Sequence, residues 1–212
     1  MNVDSSIKMA ILDEYTAVKN NVGLFDFSIE GKIKIKGEGR TDYINGIVSN
    51  DVANLKDFNG VYAAFLDKFG KVLSDCIIYK FNDFILINLS IIGKNNIIKK
   101  LTDDAGLGKS EIEDATLKYG LFSLQGPKSI ELINTIINNN LDLKQQYQSK
   151  IKKIIIHNNE TEIIITKNKR TTEDGYDIFV PASIYNEFKD LILEKGKNYG
   201  IINCSGYQYY CS

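Results

Sequence analysis

The sequence of 212 residues holds a single histidine, and with so few imidazoles most routes to hydrolytic or metal chemistry close. His157 sits in "IKKIIIHNNETEIII", where Asn158 and Asn159 mark a turn between two Ile-rich strands, the setting of an exposed loop residue. A Ser-His-Asp or Cys-His mechanism would have to use this side chain, and nothing places a nucleophile beside it. There is no CxxC and no HExxH, so no zinc site built by the protein is expected. The three cysteines, Cys76, Cys204 and Cys211, lack paired spacing and suggest a reducing compartment. Neither GxGxxG nor GxxxxGKS/T occurs, which removes the usual nucleotide-phosphate cradles.

An excess of charge is missing as well. With 26 basic against 27 acidic side chains the net charge is −1, leaving no field to draw in nucleic acid or an anionic membrane. Neither is expected as a partner. No apolar run approaches the roughly 18–20 residues that cross a bilayer. The segment "MNVDSSIKMAILDEY" carries acids early and no apolar secretory core. The cytoplasm is therefore the expected location.

What is present reads as alternating strands broken by single helices. Residues 6–21 place Ile7, Ile11, Leu12, Tyr15 and Val18 at helical offsets, predicting an amphipathic helix closed by Asn20 and Asn21. "GKIKIKG" alternates strictly, with Ile33 and Ile35 inward and Lys32, Lys34 and Lys36 outward. Residues 40–51 read as a short helix. "GVYAAFLD" and "KVLSDCIIYKF" flank "KFG" as a hairpin, and "DFILINL" extends the meander. A helix follows from about residue 94 to a Gly-rich stop. Strands then lead to a helix with Pro127 in its first turn, the strands around Asn158, "GYDIFVP" and a helix from near Ser183. Antiparallel runs with single helices argue for an α+β fold, antiparallel sheets flanked by helices.

One residue disturbs this pattern. In "GKVLSDCIIYKF", alternation puts Leu73, Asp75, Ile77, Tyr79 and Phe81 on one face, so a carboxylate points where a core or a pocket belongs. Unpaired burial of an ionised carboxylate costs several kcal/mol or drives its pKa upward. Asp75 then faces a ligand, sits at a strand irregularity, or pairs with a lysine such as Lys71 or Lys80.

Several stretches together, "VGLFDFSIEGKIKIKG", "INGIVSNDVANLKDFNGVYAAFLDKFGKVLSDCIIYKF", "LFSLQGPKS" and "TTEDGYDIFVP", resemble the glycine-cleavage T-protein (aminomethyltransferase) superfamily. That superfamily also holds the YgfZ-type folate-binding proteins of iron–sulfur maintenance. The resemblance runs in order from about residue 7 to about residue 195. It implies a discontinuous antiparallel-sheet domain from residues 1–36 and 118–212, with a smaller α+β domain, 37–117, inserted in it. It further implies tetrahydrofolate in a cavity between the two. Asp75 matches the acid beside the folate's reactive nitrogens, where a carboxylate can orient an amine and stabilise positive charge as it forms. Tyr62 matches an aromatic that lines the folate cavity, Asn88 matches a strand-end asparagine near the cofactor, and Tyr79, on the Asp75 face, is placed to stack on a flat ring; for all three the alternative is core packing. Asp177 matches the family glutamate that accepts hydrogen bonds from the pterin, whose ring N–H and amino group lie side by side.

The departures are specific. T-proteins read "SHMG" where this chain has Ser28-Ile29-Glu30-Gly31, and "GYTGEDG" where it has Lys169-Arg170-Thr171-Thr172 before "EDG". The cavity tyrosine thus becomes Arg170. Past Gly200 the "GARDTLRLEAG"-like helix, its arginines and the C-terminal barrel domain have no counterpart, and "CSGYQYYCS" is not the "KGCYxGQE" motif of YgfZ-type relatives. The functions that follow are a tetrahydrofolate-binding one-carbon protein of aminomethyltransferase type with an aminomethyl-lipoyl donor, a non-catalytic YgfZ-type folate binder, or a truncated inactive paralogue. The partners implied are a lipoylated carrier protein or a subunit supplying the missing C-terminal domain.

Overall fold

A computed structural model describes residues 5–103 and 110–205, with side chains from residue 8 onward. The Gly-rich stop at Gly106 and Gly108, the side chain of Ile7 and the tail with Cys211 lie outside the described residues. The elements in chain order are α1 (Ser5–Asn20), β1 (Val22–Asp26), β2 (Gly31–Gly37), α2 (Arg40–Asn45), β3 (Asn59–Leu66) and β4 (Val72–Lys80). Then come β5 (Phe84–Leu89), α3 (Ile91–Asp103), β6 (Ser110–Asp114), β7 (Tyr119–Gln125), α4 (Ser129–Ile137) and β8 (Ser149–Ile156). The chain continues through β9 (Asn159–Lys167), β10 (Gly175–Pro181), α5 (Tyr185–Gly196) and β11 (Ile201–Asn203). The fold is α+β, with two antiparallel-dominated sheets. No described helix is long and apolar enough to cross a membrane.

Two compact units divide the chain. One is built from both ends: residues through Phe27, Gly120–Gln146, and Lys150 onward. Its sheet runs β11-β1-β7-β10-β9-β8, with β11 parallel to β1. Leu24, Phe122, Leu124, Ile165 and Ile178 from this sheet pack with Leu132 and Ile133 of α4 and Phe188 and Ile192 of α5. The turn between β8 and β9 has His157 and Asn158 at φ 48° and 66°, two consecutive left-handed residues as in a type I′ hairpin. The turn is therefore centred one residue earlier than the Asn pair suggests, and His157 is exposed.

The other unit holds Ser28–Tyr119 and Tyr147–Ser149. Its sheet, β3-β4-β5-β2-β6, is antiparallel throughout. One face buries Ile33, Ile35, Phe65, Cys76, Ile78, Ile85 and Ile87 against Ile97 and Leu101 of α3 and Ile44 of α2. β2 belongs to this sheet, so residues 31–36 pair with β5 and β6 inside the middle unit, whereas the resemblance grouped them with the chain ends.

Three expectations fail for physical reasons. Lys32 is fully buried rather than outward, because its ammonium turns back to donate to the carbonyls of Ser28 and Glu30, each at 2.9 Å. In α1 the described apolar side chains pack only at the last turn: Ala17 and Val18 are buried, while Leu12 and Tyr15 are 61% and 55% exposed. The buried residue before that turn is Glu14, which accepts from the Ser205 N–H and hydroxyl. The helix predicted over 40–51 stops at Asn45, and Val48 instead forms a bridge with Phe65.

The middle core makes a quantitative demand. Ile87 is wholly buried at the centre of β5, paired with Ile33 and Ile78, while Ile92 on α3 is 90% exposed. Ile87→Ala should lower stability by about 2–5 kcal/mol in urea unfolding, and Ile92→Ala by no more than about 0.5 kcal/mol. Equal effects would contradict this core.

Candidate functional site

The face of the middle sheet turned away from α3 gathers four of the residues singled out by sequence. Strand register aligns Tyr62, Ile77, Asn88 and Lys32 in one row across β3, β4, β5 and β2. A second row holds Gly60, Tyr79, Leu86 and Lys34, and Asp75 stands opposite Ala64. Tyr62, Asp75, Tyr79 and Asn88 therefore share a face, by the period of two that governs strands.

Their exposures separate them. Asp75 is exposed, and the hydroxyl of Tyr62, itself 51% exposed, donates to Asp75 Oδ2 at 2.9 Å. This is a diagonal cross-strand contact, within reach of a long aromatic side chain. The neighbouring carboxylate holds the Tyr62 phenol above its ordinary pKa, because phenolate formation would lose the hydrogen bond and set two negative charges side by side. The alternative of a lysine partner is not what the geometry shows: Lys80 Nζ donates to the carbonyl of Leu55 at 2.8 Å.

The sequence placed Asp75 on the greasy face of β4, and here the structure corrects the expectation. The α3-facing core takes Ser74, Cys76 and Ile78, and the small side chain of Ser74 lets the helix approach: a Cβ on Gly93 would lie 2.7 Å from Ser74 Oγ. Tyr79 is fully buried, meeting Tyr147 edge to face at 6.5 Å, and its ring covers Gly60. As placed, it packs and offers no open face for stacking. Asn88 is also buried and donates to the carbonyl of Gly31 at 3.3 Å.

Asp177 lies in the unit built from the chain ends, on β10, with no exposed surface. Arg170 donates to it through Nε, 2.9 Å from Oδ2 and 3.1 Å from Oδ1, with Nη2 2.8 Å from Oδ2. Asn168 Nδ2 donates to Oδ2 at 2.8 Å. The guanidinium also lies over the ring of Phe27, 4.3 Å from its centroid. Behind it stands Gln125, fully buried, whose Oε1 accepts from the backbone N–H of Arg170 and Thr171 at 3.1 and 3.3 Å. Its Nε2 donates to the carbonyl of Asn168 at 2.9 Å and to Ser123 Oγ at 2.8 Å. A Cβ on Gly175 would come within 2.1 Å of Gln125 Oε1, so only glycine lets β10 pass this amide.

Sequence reasoning did not find Gln125 and Asn168. The available signal was the polar pair Ser123 and Gln125, alternating with Phe122 and Leu124 in a strand that is otherwise apolar. Among the described residues, no group of three or more His, Cys, Asp or Glu could hold a metal ion.

Tested against the folate that the resemblance implies, the two carboxylates differ. Asp75 is an accessible acid beside a phenol, a combination that suits an amine-bearing ligand. Asp177 has its oxygens taken up by the protein itself.

The class is that of an α+β protein with two antiparallel-dominated sheets, one carrying an exposed acid and the other a sealed one. Residues 3–208 match the GCVT N-terminal domain, and the chain belongs to that family. The aminomethyltransferase of Caldanaerobacter subterraneus subsp. tengcongensis is 30% identical over 193 residues, 91% of this chain and 51% of the relative. That of Leptospira interrogans is 29% identical over 197 residues, 92% of this chain and 52% of the relative. The chain thus spans about half the length of the curated relatives it matches. Among solved structures, glycine cleavage system aminomethyltransferase T from Bartonella henselae aligns with a TM-score of 0.77 at 19% identity, over 91% of this chain and 50% of that one. A chain of heterotetrameric sarcosine oxidase from Corynebacterium sp. U-96 aligns at 0.59 with 13% identity, over 96% of this chain and 99% of that one. At these identities the likeness is one of fold.

The Tyr62–Asp75 contact is directly measurable. Asp75→Asn should lower the Tyr62 phenol pKa towards the ordinary value of about 10, read by NMR titration of ring-labelled tyrosine with Tyr62→Phe for assignment. An unchanged pKa would mean that the contact is not formed in solution.

Proposed function

We propose that this chain is a reduced-folate-binding module for one-carbon transfer of aminomethyltransferase type, with Asp75 as its working carboxylate. The observation that carries this reading is an exposed acid held by a tyrosine hydroxyl on a strand face, in a chain of this family. Tetrahydrofolate, when bound, supplies the amine that accepts the one-carbon unit. Asp75 supplies fixed negative charge where positive charge develops, the kind of preorganised electrostatics that lowers a barrier without reorganisation. Tyr62 fixes the orientation of the carboxylate by occupying Oδ2, which leaves Oδ1 to face a ligand. Its hydroxyl also removes one rotameric choice from an exposed acid, so less freedom is lost on binding. The donor proposed is an aminomethyl-lipoyl group on a carrier protein, and a separate subunit can supply what the longer relatives carry beyond the matched half. The cytoplasm is the location this reading assigns.

A second reading, a non-catalytic folate binder of YgfZ type or an inactive paralogue, is favoured by one observation, the sealing of Asp177 by Arg170.

Calorimetry with 5-formyltetrahydrofolate divides these readings. Wild type should bind, and Asp75→Asn should bind roughly tenfold or more weakly, as expected when a charged hydrogen-bonding partner is lost. Absence of binding up to millimolar ligand would remove the folate reading. Ammonia release with a lipoylated carrier protein then separates transferase from binder.

A further inference from the structure

The acid at 177 matches the family position that reads a pterin, yet its own surroundings leave nothing for a pterin to do. A pterin edge presents two parallel N–H donors on a flat, delocalised ring. Arg170 presents the same pattern: Nε and Nη2 side by side on a planar cation, both on the Asp177 carboxylate. The guanidinium lies over Phe27, so one of its faces is taken by an aromatic surface. Asn168 supplies a further donor to Oδ2.

We infer that Arg170 is an internal surrogate for the pterin edge, so that Asp177 serves as half of a structural ion pair and does not read a ligand in this chain. The substitutions agree in direction. The resemblance puts a glutamate at 177 and a tyrosine at 170, and this chain has instead the shorter aspartate and the longer, cationic arginine, which meet directly.

The loop that carries Arg170 is held in advance. Gln125 Oε1 accepts from the N–H groups of Arg170 and Thr171 and from the Thr171 hydroxyl at 3.3 Å. Gln146 braces the start of the same loop: Nε2 donates to Asn168 Oδ1 at 3.2 Å, and Oε1 accepts from the Lys169 N–H at 3.1 Å. The arginine is thus fixed at its backbone as well as at its head. Displacing it for a neutral ring would strand a buried carboxylate, at a cost on the order of a hundredfold to a thousandfold in affinity. A ligand held elsewhere on the protein has no reason to bear that cost.

The test reads the Arg170 Nε–H resonance in arginine-labelled full-length protein, assigned with Arg170→Lys. In the free wild type it should be shifted downfield and protected from solvent exchange. It should stay so in excess 5-formyltetrahydrofolate, and it should vanish in Asp177→Asn. Loss of protection on adding the folate, or its absence in the free protein, would overturn the inference. The folate arm rests on the function proposed above: Asp177→Asn should leave the dissociation constant within about twofold, whereas Asp75→Asn raises it roughly tenfold. A large loss in Asp177→Asn with the fold intact by circular dichroism would also overturn the inference. The double variant Arg170→Tyr, Asp177→Glu should bind roughly tenfold more tightly than wild type, because it restores an acceptor open to a ligand. If no variant binds folate at all, the proposed function falls, and the protected Nε–H alone decides the role of Arg170.

Discussion

A carboxylate with no exposed surface sets the tightest constraint in this molecule. Asp177 on β10 has given up its water and must recover that loss from neighbours placed in the fold. Arg170 and Asn168 meet the requirement, and neither could do so without Gln125 to hold the loop between β9 and β10. Gln125 in turn works only because Gly175 leaves room for its amide. The consequence runs backwards along the chain: a side chain on β7 determines how the β9–β10 loop closes, and thereby what the acid on β10 can touch. A buried polar network of this kind is stable only when every member is satisfied.

The middle sheet solves a simpler problem. It has one face for aliphatic packing against α2 and α3 and another where polar groups and aromatics mix. Most of that second face is closed by its own side chains, Tyr79 over Gly60 and Phe81 stacked on Phe84 at 4.5 Å. Asp75 and Tyr62 are left at its accessible part. The acid is exposed, and the Tyr62 hydroxyl holds it, so one acceptor stands available in a fixed geometry, as a ligand site needs.

Much of this could be read in the amino acids. Alternation located β2, β3, β4 and β5, and the Asn-rich turn located the β8–β9 hairpin, because period two and left-handed turn residues are local properties. The shared face of Tyr62, Asp75, Tyr79 and Asn88 also follows from parity once the strands are placed. Parity does not say which face a helix will cover. Ser74, Cys76 and Ile78 are as compatible with burial as Leu73, Ile77 and Tyr79, and the choice was made by α3, far along the chain. Lys32 defeats the pattern because its amine finds carbonyls two and four residues away. The network at Asp177 joins residues up to 52 positions apart, between 125 and 177, which no local pattern reports. The departure at Arg170 was visible as a substitution, yet its meaning needed the geometry.

The two buried cysteines carry a last consequence. Cys76 sits in the core of the middle unit and Cys204 beside Val18 and Phe25 in the unit built from the chain ends. Desolvation pushes each thiol up to about 12, so both stay protonated and unreactive while their surroundings are intact. Each half of the molecule thus contains its own latent alkylation tag, silent when folded and unmasked only when that half opens. Peptide-resolved thiol modification along a denaturant series can then follow the two halves separately, without adding a probe to either.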